Sequence, residues 1–203
     1  MAKKMMYPKT KRYDDRLKVL LTEKLDGSNL TFFKYRGKLY VAQRNYVESL
    51  EELDKGKLYK GLEGWLDKYG KDLEEKLHPN ASITGEWLGM GHLKYPDRDK
   101  QFYMFAKGNV NDEMDLYSLR YSPEHFVYPF IDRQVPEYVG LVPLVATLDR
   151  LPAVKDLDDL YDEYVASVGR DVEGFVVNYN DNISKYVRMK NGSLADHFNW
   201  KNN

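Results

Sequence analysis

An α+β fold built largely on antiparallel sheets is predicted by three observations. Short apolar runs of strand length recur along the chain, two helical patterns stand apart from them without regular βαβ alternation, and 17 tyrosines supply the aromatic content that strands favour. The 203 residues suit one domain with a sizeable core, 42% hydrophobic and 14% aromatic. A single unit over 1–203, with no second appended domain, is therefore expected.

Taken in order, Leu17, Val19, Leu20 and Leu21 read as a strand that ends where the polar cluster at Thr22 begins. Residues 30–35 and 39–42 read as a hairpin turning at Arg36-Gly37. That turn pairs Tyr35 with Lys38, Phe33 with Tyr40, Thr31 with Ala42 and Asn29 with Arg44. Leucines and aromatics from Leu50 to Leu77 recur at near-helical spacing, so 48–77 is read as two amphipathic helices broken near Gly56, stopped by His78-Pro79-Asn80. Residues 83–88 and 101–106 read as strands around the loop 89–100, with Tyr103 and Phe105 on one face. Between 109 and 151 prolines break the apolar runs at 125–131 and 139–145, which suggests edge strands and loops. Val154, Leu157, Leu160, Tyr161, Tyr164, Val165 and Val168 mark a helix that Gly169 terminates. Residues 173–179 and 183–190 form a last strand pair around Asn180-Asp181-Asn182, and 13 residues follow Lys190.

A net charge of -1 argues against a protein that coats nucleic acid through bulk charge, although Lys3, Lys4, Lys9, Lys11 and Arg12 crowd the N-terminus where they could meet phosphates. With no cysteine, disulfides and thiolate metal sites are ruled out. The lack of a signal peptide or an apolar run of spanning length adds the expectation of a soluble, cytoplasmic protein. The nearest phosphate loop, Gly64 through Gly70-Lys71-Asp72, has the wrong spacing and lacks Ser or Thr after the lysine. Gly89-Met90-Gly91 lacks the third glycine of a dinucleotide turn, with Lys94 in its place. His78, His92, His125 and His197 show no metal-ligand spacing.

What remains is a constellation. Lys24 stands at a strand end between carboxylates and beside Gly27, the setting of a lysine that reacts. The hairpin returns Arg44 to its neighbourhood. Glu86 and Glu173 interrupt apolar strands, which costs free energy unless a cation, a ribose or a metal meets them. A period of two puts Arg188 and Lys190 on one face of the last strand, where two cations suit a phosphate, and turns Val187 and Met189 to the core.

These residues carry a specific resemblance. Lys24-Leu25-Asp26-Gly27, Arg44, Gly85-Glu86, the aromatic run 102–105, Glu173-Gly174-Phe175-Val176-Val177 and Arg188-Met189-Lys190 follow the order and rough spacing of the covalent lysine nucleotidyltransferases, the ligases and capping enzymes. Ser28-Asn29 and the Gly85-Glu86-x-x-Gly89 form make the chain most similar to the ATP-dependent RNA ligases, as a minimal catalytic domain. The resemblance implies a two-sheet, ATP-grasp-like nucleotidyltransferase fold with flanking helices and the nucleotide in the cleft between the sheets. It implies that Lys24 attacks the α-phosphorus of ATP, that AMP passes from the lysine to an RNA 5′-phosphate, and that a 3′-hydroxyl then displaces it. Glu23 would border the adenine and Phe105, rather than Tyr103, would stack on it. Glu86 and Arg44 would hold the ribose and its surroundings, and Asn29 would assist the later steps. Asp26 with Glu173 would hold Mg²⁺ or Mn²⁺ through water, and Arg188 with Lys190 would contact the phosphates. A free lysine titrates at about 10.4, so nearby positive charge is needed to keep the nucleophile unprotonated.

Two departures stand out: Ala106 follows Phe105 where many relatives carry an acid, and Arg188 stands where many carry lysine. The alternatives are a DNA nick ligase, a GTP-using capping enzyme, or a non-catalytic module that binds nucleotides or RNA ends. Oligomeric state is left open.

Overall fold

The computed structural model describes residues 18–121, 123–179, 182–190 and 193–194, so the basic cluster of Lys3, Lys4, Lys9, Lys11 and Arg12, the start of the first predicted strand at Leu17, and the Asn180-Asp181 turn lie outside the described residues. In chain order the elements are β1 (Val19–Lys24), β2 (Ser28–Tyr35), β3 (Lys38–Gln43), β4 (Tyr46–Ser49), α1 (Leu62–Lys76), β5 (Ala81–Trp87), β6 (Phe102–Val110), β7 (Leu116–Arg120), β8 (Val139–Leu141), β9 (Leu144–Leu148), α2 (Val154–Val168), β10 (Gly174–Tyr179), β11 (Asn182–Val187), β12 (Met189–Lys190) and β13 (Ser193–Leu194). The larger sheet has the order β4-β3-β2-β5-β6-β7, with β8 joined in parallel to β6. The smaller runs β11-β10-β1-β9, and β12 pairs with β13. Apart from β8 every pairing is antiparallel, and the α+β reading holds at this level.

Each helix covers one sheet. Leu62, Trp65, Leu66, Leu73 and the capping Leu77 fall on one stripe of α1 and meet Leu30, Phe32, Ile83, Trp87, Phe102 and Met104, the larger sheet's apolar face. Leu157 and Tyr161 of α2, with Tyr164 and Val165, cover Val19, Leu21, Phe175, Val177 and Tyr186 of the smaller sheet. Asp156 accepts the backbone N–H of Ala153 at the start of α2, and Gly169, at φ 67°, ends it. The faces turned away from the helices enclose the cleft described below.

The hairpin turns at Arg36-Gly37 in the expected register as far as Thr31–Ala42. Two expectations are corrected. The first strand runs on through Thr22, Glu23 and Lys24, because polar side chains on both faces find partners. The region 48–77 holds one α-helix, not two. Tyr46–Ser49 pairs with β3 instead, and Leu50, Leu53 and Leu58 reach the core from a segment of turns around a 3₁₀ helix at Lys55–Lys57, where Asp54 accepts the N–H of Gly56. Of the apolar runs expected as edge strands and loops, 125–131 is loop, where turns after a 3₁₀ turn at Pro123–His125 deliver Phe126 and Phe130 to the larger core, and the run from 139 holds the short strands β8 and β9. Among the described residues no helix is long and apolar enough to cross a membrane.

Candidate active site

β1 ends at the point where its two neighbouring layers part. Its alternation sends Val19, Leu21 and Glu23 toward α2 and leaves Thr22 and Lys24 on the cleft side. Lys24 lies opposite Gly174, and its Nζ is 2.6 Å from Glu173 Oε1, both side chains being largely covered. Burial raises the pKa of Glu173, opposed by its contact with Lys24, and its second oxygen, Oε2, is buried without a hydrogen-bond partner. The main chain also folds around this residue: the N–H groups of Arg188 and Met189 both donate to the Glu173 carbonyl, at 2.8 and 3.0 Å. Glu86, opposite Asn29, is pushed up to about 7 by burial, with the Lys24 charge pulling the other way. Gly27 fits between these groups for want of a side chain. A Cβ there would stand 2.3 Å from the Trp87 carbonyl oxygen and 3.0 Å from the Glu86 side chain.

Asp26 is fastened to the loop that follows β5. Its Oδ2 accepts the N–H groups of His92 (2.6 Å) and Leu93 (2.9 Å), and its own N–H donates to the Tyr95 hydroxyl at 2.5 Å. The backbone of that loop lies so close that a Cβ on Gly91 would be 1.9 Å from the Asp26 carbonyl oxygen. The Tyr95 ring in turn lies under the Arg170 guanidinium at 4.9 Å.

The Glu23 carboxylate is not in the cleft. It is wholly buried on the α2 side, where it accepts from Arg170 (2.7 and 3.0 Å), Arg98 (3.1 Å) and the Tyr164 hydroxyl (2.8 Å). Asp97 accepts from Arg170 at 2.6 Å and pairs with Arg98 at 3.1 Å, and the Arg170 guanidinium holds the Asp97 carboxyl below its usual range. A buried charge is tolerable only when paired and hydrogen-bonded, as here. With that carboxylate enclosed on the α2 side, Glu23 lines the cleft through its main chain.

The cleft has a volume of about 720 Å³, a size usual for small-molecule sites. Lys24, Asn29, Glu86 and Phe105 line it, as the sequence places them, over a floor in which the Thr31 and Thr84 hydroxyls lie 2.8 Å apart. Tyr103 is buried instead, packed with Leu25 and Val142. Three cations are not among the lining residues. Arg44 is exposed, because the β2–β3 ladder stops at Thr31–Ala42. Its N–H donates to the Tyr59 hydroxyl, which bridges to the Asn29 carbonyl at 3.2 Å. Arg188 and Lys190 do not project together, because β11 stops at Val187 and the chain bends at Arg188. Arg188 reaches Asp158 on α2 at 2.9 Å and the Tyr186 hydroxyl at 3.1 Å, over the Tyr161 ring, while Lys190 is exposed opposite Ser193.

Sequence reasoning misses Arg98, Arg170 and Tyr164, which carry no local motif, and Asn178 and Lys185, which line the cleft. A polar Asn178 following the apolar Phe175-Val176-Val177 run is the one signal the sequence offers. Among the described residues no group of three or more His, Cys, Asp or Glu is arranged to hold a metal ion. The donor chemistry nonetheless fits a divalent cation that keeps most of its waters and binds through one or two carboxylates and substrate phosphates. Glu173 offers the unpartnered Oε2, whereas Asp26 has one oxygen committed to the loop.

A family model described as RNA ligase matches residues 17–191. No curated protein matches. Among solved structures, a mutant of Naegleria gruberi RNA ligase in its apo form is 16% identical with a TM-score of 0.53. Two further mutants of that ligase with ATP and Mn are 17% and 16% identical, with TM-scores of 0.50 and 0.51. Each comparison covers 85% of this chain and 50% of the other, so the likeness is one of fold and the chain spans half the length of the structures it matches.

Proposed function

The chain belongs to the RNA ligase family, and from that premise we propose that residues 1–203 form one adenylyltransferase unit that uses ATP to join RNA ends. The observation that carries this is a cleft lined by Lys24, Asn29, Glu86 and Phe105, with the Glu173 carboxylate 2.6 Å from Lys24 Nζ. The nucleotide would occupy that cleft between the sheets, its base against Phe105 and the main chain of Glu23, its ribose toward Glu86. The RNA ligase fold-relatives with ATP and Mn support this choice of nucleotide and of a divalent ion.

Lys24 Nζ would attack the α-phosphorus, forming a P–N bond as the P–O bond to pyrophosphate breaks. An RNA 5′-phosphate oxygen would then take the AMP from the lysine, and a 3′-hydroxyl would displace AMP to form the phosphodiester. Mg²⁺ or Mn²⁺ would be held by Glu173, with Asp26 through water, and supplies positive charge to the phosphates when bound. The contact with Glu173 holds Lys24 in place, and Asp26, anchored by His92, Leu93 and Tyr95, fixes the turn beyond it. Asn29, which lines the cleft in register with Glu86, would assist the steps that follow adenylation.

The test is incubation with α-labelled ATP and Mg²⁺ or Mn²⁺, then denaturing electrophoresis. A labelled band is expected from the native chain and none from Lys24→Ala or Lys24→Arg, since a guanidinium stays protonated. Protein freed of bound AMP that gives no band would favour a binding module. Labelled GTP and DNA ends, run in parallel, separate the capping and DNA-ligase alternatives.

A further inference from the structure

With Arg188 engaged by α2, the cleft draws its cations from elsewhere, and we infer that Lys185 is the residue that grips the nucleotide's phosphates beyond the α position. The inference rests on the nucleotide reading above. The β10–β11 register pairs Val176 with Lys185 and Phe175 with Tyr186. Val176 lines the cleft while Phe175 and Tyr186 stack in the core beneath α2, so alternation puts Lys185 on the cleft face. Among the described lining residues Lys24 and Lys185 are the cations, and Lys24 is the nucleophile.

The distances suit a triphosphate. Lys24 stands in the ladder row of Gly174 and Val187, Lys185 in the row of Val176 and Thr22. Two strand spacings across and two residues along separate their Cα atoms by roughly 12 Å, from spacings of about 4.8 and 3.4 Å. Two lysine side chains extended toward one another across that gap bracket a chain of phosphates. A cation facing the β- and γ-phosphates would balance the charge that pyrophosphate carries away.

The experiment is equilibrium binding, by calorimetry, of α,β-methylene-ATP with Mn²⁺ and, separately, of adenosine. The methylene bridge keeps the triphosphate while preventing loss of pyrophosphate. Lys185→Gln is expected to weaken the triphosphate about tenfold, the scale of one charge-assisted hydrogen bond. Adenosine binding should stay within about twofold, and Lys185→Arg should restore most of the triphosphate affinity. An unchanged triphosphate affinity, or an equal loss for both ligands, overturns the role of Lys185 and leaves the nucleotide reading standing. A native chain that binds neither ligand overturns both.

Discussion

A lysine side chain has four flexible bonds, and Lys24 is held in place by a 2.6 Å ion pair with Glu173. The neighbouring Glu86 makes a testable pH effect. Its pKa is raised from 4.5 to about 7 by burial, so the folded state binds a proton that the unfolded state releases between those values, and stability falls as pH rises through the window. The Tm of the native chain is expected to decline between pH 5 and 8 for this reason. Glu86→Gln should flatten the decline and gain up to about 3 kcal/mol at pH 8 in urea titrations, taking about 1.4 kcal/mol for each tenfold difference in proton affinity between the folded and unfolded states, while weakening adenylation. An unchanged slope in the variant would show that other groups set the dependence. At this scale much was legible, since the order Lys24, Asn29, Glu86, Phe105, Glu173 brings together residues that do meet. Glu23 and Arg188 were not. An acid next to the nucleophile looks the same whether its carboxylate faces the cleft or the helix layer. A period of two, continued through Arg188, also misplaces that residue, because there the backbone leaves the ladder to donate to the Glu173 carbonyl.

The loop between β5 and β6 and the segment after α2 act together on the turn that follows β1. Arg170, over the Tyr95 ring, joins Glu23 to Asp97, while Tyr95 takes the N–H of Asp26. Both sides of Lys24 are thereby tied to the same cluster. Arg170→Ala would leave the enclosed Glu23 carboxylate with Arg98 and Tyr164 alone, and a loss of about 3 kcal/mol in denaturant midpoint experiments is expected. Arg170→Met, similar in length but uncharged, should lose about as much if charge rather than packing is responsible. Gly91→Ala would force the loop away from Asp26, where a Cβ has only 1.9 Å to the carbonyl oxygen. It should slow self-adenylation at saturating ATP at least about tenfold, because a displacement of 1 Å at a reacting group is worth roughly a hundredfold. Equal rates for variant and native chain would sink the idea that the loop positions the turn. The link of Glu23 and Asp26 to Arg170, Arg98, Asp97 and Tyr95 was not visible in the sequence, because these residues are far apart and none of the four partners carries a local motif. The misread first helix of 48–77, before the break near Gly56, has a different cause. Leucine spacing records burial, and an edge strand followed by a turn buries Leu50, Leu53 and Leu58 as well as a helix would.

At the scale of the molecule the two largest cores lie one under each helix, and the cleft lies between the sheets that carry them. A ligand that bridges the sheets should therefore stabilise the whole chain. At a hundred times its dissociation constant, α,β-methylene-ATP with Mn²⁺ is expected to add about 2.7 kcal/mol, or a Tm rise of roughly 5 to 10 °C by scanning calorimetry. A rise confined to one of two separate transitions would show that the cores melt independently and that the ligand holds only one. The α+β class was readable from strand and helix spacing, but the division into two sheets was not derivable from spacing alone. It depends on β1 leaving its hairpin neighbours to pair with β9 and β10. That choice of partners has a consequence for how the protein comes into being. The strand bearing Lys24 is among the first described residues to leave the ribosome, yet Val19 pairs with Leu148 and Tyr179, and Lys24 with Gly174. Throughout most of translation Lys24 has no sheet to belong to. Ends whose pairing must wait for the rest of the chain are slow to join, so a product released before residue 173 would carry Lys24 without the carboxylate that holds it.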